Sequence, residues 1–190
     1  MELVTHFVAK QPKRAMDLMR TMWGYIWNSP YAVQSSLIEG YYHDGRCHYP
    51  FTLYDPAYIS HAHPWASGPT IVLTFYVVGL RLLNPEHTKW IFEPQPDVEE
   101  LGFAMSGFTS DAKGFFSAGW KAGKDVLEMA VKAPEGTKGT IGVPTLGKDI
   151  SSVTQNGREV LFETLDGNKS HVYIKDVVGG KHTVQVSYGV

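Results

Sequence analysis

Phe103–Trp120, FAMSGFTSDAKGFFSAGW, decides the fold. Two short runs rich in aromatic and small residues, Phe103–Thr109 and Phe115–Trp120, flank Asp111-Ala112-Lys113-Gly114, so the stretch reads as a β-hairpin. Working outward, Asp125–Ala133 alternates Val126 and Glu128 with Leu127, Met129 and Val131, as a half-buried strand does. Lys138–Val143 follows Pro134-Glu135-Gly136 as a further strand. Val153–Gln155 and Glu159–Phe162 flank Asn156-Gly157, a strong two-residue hairpin signal. Ser170–Lys175 and Thr183–Tyr188 flank Gly179-Gly180. Upstream, Lys89–Glu93 is an extended segment stopped by Pro94 and Pro96. So many short strands with regular turns predict an antiparallel β-sandwich over residues 86–190.

Residues 1–85 have a different character. Met16, Met19, Met22, Trp23, Ile26 and Trp27 recur at helical spacing and predict a helix over about 11–28, with Pro12 in its first turn. Asn28-Ser29-Pro30 ends it, because a residue before proline is pushed out of helical angles. A short segment at 31–37 carries Val33 and Leu37. Trp65–Leu82 is apolar on nearly all faces and reads as a helix buried all round, with a strand as the other option. Between them Glu39–Pro64 is irregular and dense in polar aromatics, a loop length that suggests a function. The expected class is therefore α+β, a short helical segment followed by an antiparallel sandwich.

Composition narrows the function. The 190 residues hold 17 Lys+Arg against 19 Asp+Glu, a net charge of −2, which argues against a nucleic-acid partner. The single cysteine, Cys47, excludes an internal disulfide framework and Cys-rich zinc sites. No apolar run approaches a bilayer span, so no membrane partner is expected. The N-terminal order, acid first and bases after a very short apolar stretch, is the reverse of a signal peptide and predicts a cytoplasmic protein. His61-Ala62-His63 could converge on a metal, but with no thiol cluster or acidic triad beside it the expectation is no metal and no cofactor.

The run Ser60-His61-Ala62-His63-Pro64-Trp65-Ala66-Ser67-Gly68-Pro69, followed by Leu73, Tyr76, Gly79 and Arg81, resembles the last barrel helix of the α-L-rhamnosidases of glycoside hydrolase family 78. So do Trp90–Pro96 (WIFEPQP), Gly114-Phe115 with Trp120, and Pro134-Glu135-Gly136-Thr137-Lys138-Gly139 ending at Pro144, which resemble that family's following sandwich. The resemblance implies the C-terminal end of such an enzyme standing alone, without most of the six-hairpin barrel and without its general acid. It implies an inverting glycoside hydrolase with Glu39 as general base, and with His63 and Trp65 lining the substrate. Ile38 departs from the tryptophan that the family carries before this glutamate.

Glu39, His63 and Asp44 are thus the candidate catalytic residues; His61, Trp65, Tyr41, Tyr42, His43 and Tyr58 are candidates for holding a sugar or other small molecule. Each has a plainer reading: Glu39 a cap or surface acid, His63 a helix-entry hydrogen bonder, the aromatics loop packing, Asp44 a turn residue paired with Arg46. Helices that once lined a barrel expose an apolar face, so a homodimer through that face is expected. Two other functions suit the same residues. One is a small-molecule catalyst of cyclase or isomerase type in secondary metabolism, using proton transfer. The other is a sugar-binding or assembly module without catalysis.

Overall fold

A computed structural model describes residues 2–46, 59–97, 99–165, 167 and 169–189. Cys47, Tyr58 and the other loop aromatics between them fall outside the described residues. The fold is α+β, and the chain divides into two compact units, Met1–Val72 and Leu73–Val190.

The first unit is helical. Helix α1 (Glu2–Val8) packs its buried Leu3 and Phe7 against α2 (Pro12–Asn28) and α3 (Gly68–Val72). Helix α2 opens on Pro12, whose missing N–H would be unpaired there in any case. It stops where Ser29, ahead of Pro30, turns to ψ 132°. Its expected stripe divides: Met16, Met19 and Ile26 are buried, whereas Met22 and Trp27 are exposed. Residues 31–37 form bends rather than a regular element.

The Trp65–Leu82 stretch is not one buried helix. It runs as a 3-10 turn (Pro64–Ser67), α3, then a π-helical turn (Leu73–Val78), and Leu80–Leu82 is already strand β1. Trp65, Ile71, Leu73 and Phe75 are exposed, so burial all round is incorrect. The break is at Gly79. Its N–H bonds back five residues to the Thr74 carbonyl at 3.1 Å, and its φ is +90°. A Cβ there would overlap the backbone of Glu93 and Pro94. Close approach of two chain segments, invisible in local hydropathy, ends the helix.

The second unit is a nine-stranded sheet among the described residues. Its strands are β1, β2 (Lys89–Phe92), β3 (Phe103–Ser110), β4 (Gly114–Ala122), β5 (Val126–Pro144), β6 (Ile150–Gln155), β7 (Arg158–Glu159), β8 (Glu163–Thr164) and β9 (His171–Tyr188). The hairpin at 103–120 forms in the expected register, Phe103 opposite Lys121 and Ser110 opposite Gly114. Asn156-Gly157 makes the expected two-residue turn, with φ of 53° and 77° at its centre. Two strands are longer than the sequence suggests. The 125–133 and 138–143 segments are one strand, β5; the 170–175 and 183–188 segments are one strand, β9; and the two pair antiparallel along their lengths. Gly179-Gly180 is therefore a bend, not a hairpin. Ala133 pairs with Gly180 and Lys138 with Val178, so Pro134–Thr137 bulge outward. One strand pair also departs from the expected antiparallel arrangement: β2 runs parallel to β5.

The bend turns one sheet into a sandwich. The Val126 end of β5 and the Tyr188 end of β9 join β4, β3, β6 and β7. Their other ends join β2, β1 and β8. Tyr188 N–H donates to the Asp125 carbonyl at 3.1 Å, yet its hydroxyl donates to the Pro144 carbonyl at 2.8 Å. An extended strand from Asp125 to Pro144 would span about 60 Å at roughly 3.3 Å per residue, so β5 is folded back on itself. The enclosed core holds Trp90, Phe92, Phe116, Leu127, Ile141 and Val186, all fully buried.

Candidate functional site

Leu37–Glu39 and Ser60–His63 lie side by side in the first unit. Glu39 N–H donates to the Ser60 carbonyl and His63 N–H to the Leu37 carbonyl, each at 2.8 Å; the Ser36 hydroxyl donates to the His61 carbonyl. This short ladder fixes the Glu39 side chain. Its Oε2 accepts Ser60 N–H at 3.1 Å and stands 3.7 Å from His63 Nδ1. The His63 gap is beyond hydrogen-bond reach, so this contact becomes an ion pair only when the imidazole is protonated. Trp65 closes the arrangement, its indole N–H donating to the Glu39 carbonyl at 2.9 Å and its ring centre 4.2 Å from that of His63.

Glu39 and Trp65 form part of the wall of a cleft of about 340 Å³, with Ile38, Tyr41, Met22 and Trp23. Trp23 donates to the Ala66 carbonyl at 2.7 Å, which ties α2 to the 3-10 turn. Met22, read from the sequence only as helix packing, belongs here: Tyr41 O–H reaches its sulfur at 3.2 Å. Burial, and then the neighbouring Tyr25, raises the Tyr41 phenol above its ordinary value, so it remains a proton donor at neutral pH. Ile38 is fully buried where the resemblance leads one to expect an indole.

Other candidates lie outside this wall. Tyr42 and His43 stack edge to face at 4.1 Å. Asp44 holds its own turn, taking Arg46 N–H at 3.0 Å, Nε at 2.8 Å and a terminal guanidinium nitrogen at 2.5 Å. The hydrogen bonds and charge of Arg46 pull its carboxyl down to about 2, so at neutral pH it is an anion with no proton to give. That geometry fits the turn role. His61 sits one turn of the ladder from His63, with its Nδ1 buried and unpartnered among the described residues. Tyr58 lies outside them. No cluster of three or more metal-ligating side chains occurs among the described residues.

Among the described residues, then, the cleft has one carboxylate, a neighbouring imidazole, a phenol and mostly apolar walls. Such a set can orient and activate a water or abstract a proton; it does not by itself supply a second carboxyl group.

No family model and no curated protein matches the sequence. Among solved structures, the chain resembles part of the Streptomyces avermitilis α-L-rhamnosidase complexed with L-rhamnose, with a TM-score of 0.73 over 97% of this chain at 18% identity. It also resembles part of the α-L-rhamnosidase from Dictyoglumus thermophilum, with a TM-score of 0.59 over 68% of this chain at 22% identity. The chain spans 17% and 14% of those two chains. At these identities the likeness establishes the fold. No helix of the described residues is long and apolar enough to cross a membrane.

Proposed function

We propose that the chain carries a carbohydrate-active site of α-L-rhamnosidase type, with Glu39 as the base that activates water. The observation that carries this reading is the Glu39 carboxylate in the wall of a cleft, bonded through Oε2 to a backbone N–H and flanked by His63 and Trp65. Its placement on a fold like part of two α-L-rhamnosidases supports the substrate class. In an inverting hydrolysis, water between Glu39 and the anomeric carbon loses its proton to the carboxylate as the bond to the leaving oxygen breaks. The Ser60 N–H positions the carboxylate, and His63, when protonated, stabilises its anionic form. Trp65 offers an apolar ring to the sugar. The acid that protonates the leaving group comes from outside the described cleft; an activated aryl leaving group needs it least. Aryl α-L-rhamnoside is thus the test substrate. We expect slow release of the phenol, and a loss of at least about a hundredfold in Glu39→Gln with the far-UV spectrum unchanged. No release from the folded parent chain would remove the reading.

A second reading rests on what the described cleft does hold. One base, one raised phenol and apolar walls suit proton transfer on a small apolar molecule, as in a cyclase or isomerase step. Binding of apolar ligands in the cleft, quenching Trp23 or Trp65 fluorescence without any rhamnoside turnover, would favour it.

A further inference from the structure

The outer face of the sheet formed by β3, β4, β5, β9 and β6 carries a trough. The alternation of buried and exposed residues assigns its side chains: Phe116, Ala118 and Trp120 of β4 point inward, so Ser117, Gly119 and Lys121 point outward. Strand register then sets these residues in transverse rows. The floor is Met105–Gly119–Ala130–Thr183, with almost no side-chain height at its centre. One wall is Phe103–Lys121–Glu128–Gln185–Thr154. The other wall is Ser117–Lys132–Lys181, bordered by the ring of Phe115, which lies over Gly107 with Lys132 Nζ 5.8 Å from its centre. Two adjoining recesses, of about 540 and 320 Å³, share that floor.

Three features define what fits. Lys132 and Lys181 are directly opposite in register, an arrangement that repels unless an anion sits between or above them. Among the described residues neither has an acidic partner; the carboxylates lie in the other wall, Glu128 facing Lys121 and Glu159 at the row's far end opposite Thr154. Exposed Phe103 (66%), Met105 (78%) and Phe115 (49%) offer apolar surface at one end. Thr154, Thr183 and Gln185 offer hydroxyl and amide partners at the other. The trough crosses the strands, and the backbone groups beneath it are spent in the sheet ladder, so an extended peptide finds no strand edge to join there. Linked sugar rings bearing carboxylates need none: they have apolar ring faces, hydroxyl edges and fixed negative charge.

We propose that this trough is a second, non-catalytic site that binds an acidic, uronate-bearing glycan. It is independent of the Glu39 reading. The test is affinity electrophoresis of the 190-residue chain through gels with polygalacturonate, dextran or poly-glutamate, followed by calorimetric titration with a galacturonate oligomer. Retardation by polygalacturonate alone is expected. The Lys132→Ala/Lys181→Ala double variant should bind about tenfold more weakly. Ala130→Tyr, which fills the floor, should abolish binding at an unchanged unfolding midpoint; if that variant does not fold, the double lysine variant decides. Glu39→Gln should bind like the parent whatever becomes of rhamnoside hydrolysis. Absence of polygalacturonate retardation, equal retardation by dextran or poly-glutamate, parent-like binding by the lysine variant, or loss of binding in Glu39→Gln would each overturn the proposal.

Discussion

Glu93 shows how much one residue can organise. It is buried, with Oε2 2.6 Å from the Arg81 guanidinium and Oε1 accepting the Tyr173 hydroxyl at 2.9 Å. His171 stands at 4.0 Å, held by the Pro94 carbonyl at its Nε2 and by Ser170 at its Nδ1. A carbonyl only accepts, so Nε2 carries a proton, and in the neutral ring Nδ1 takes the Ser170 hydroxyl. This group joins β1, β2 and β9. Arg81→Met removes the guanidinium from this buried carboxylate and should cost about 3 kcal/mol in denaturant unfolding, the usual range for a broken buried pair. Asp44 is the contrasting, exposed acid. Its folded value is depressed, so its favourable contribution is present above the ordinary carboxylate range and is lost as pH falls through about 2. An NMR titration should place its midpoint near 2, and Arg46→Ala should move it up toward 3.8.

At the scale of elements, two glycine positions behave oppositely. Gly157 closes the β6–β7 hairpin with φ +77° and open space around it, so Gly157→Ala should cost only about 1 kcal/mol, through backbone strain alone. Gly79 combines φ +90° with backbone packed where a Cβ would stand. Gly79→Ala should therefore cost several times more, read as a lower urea midpoint. The Asn156-Gly157 turn is legible in the sequence because its requirement is local: two residues at positive φ. Gly179-Gly180 also carries a turn signal and is misleading, because the missing side chain of Gly179 makes room for the Pro134 carbonyl across the ladder. The helix over 12–28 is legible for the same local reason as the hairpin, from spacing and Pro30. The end of the Trp65 segment is not, since Glu93 decides it from fourteen residues away.

At the scale of the molecule, the closure of the sandwich rests on β5 and β9 bending together. Tyr188, whose phenol burial pushes well above its ordinary value, bridges the bend by donating to Pro144. Tyr188→Phe removes this buried hydrogen bond and should lower unfolding free energy by about 1–2 kcal/mol, measured with guanidinium. The first unit exposes Val4 and Val8 on one side of α1, and also Trp27, Tyr31, Val33 and Ile71. We expect a second copy to cover part of this apolar surface; light scattering at micromolar concentration should then give twice the 21.2 kDa chain mass, and a single chain mass removes the expectation.

Residue order alone determined the α+β class, the 12–28 helix, the 103–120 and 156–157 hairpins, and Glu39, His63 and Trp65 as a group to watch. The elements follow from periodicity or turn chemistry in a short window; Glu39, His63 and Trp65 are singled out by the family resemblance. Tertiary structure decided that four apparent strands are two, that β2 runs parallel to β5 and that Met22 joins the cleft. Those outcomes depend on which distant backbone comes close enough to exclude a side chain or accept a hydrogen bond, and no local pattern encodes that distance.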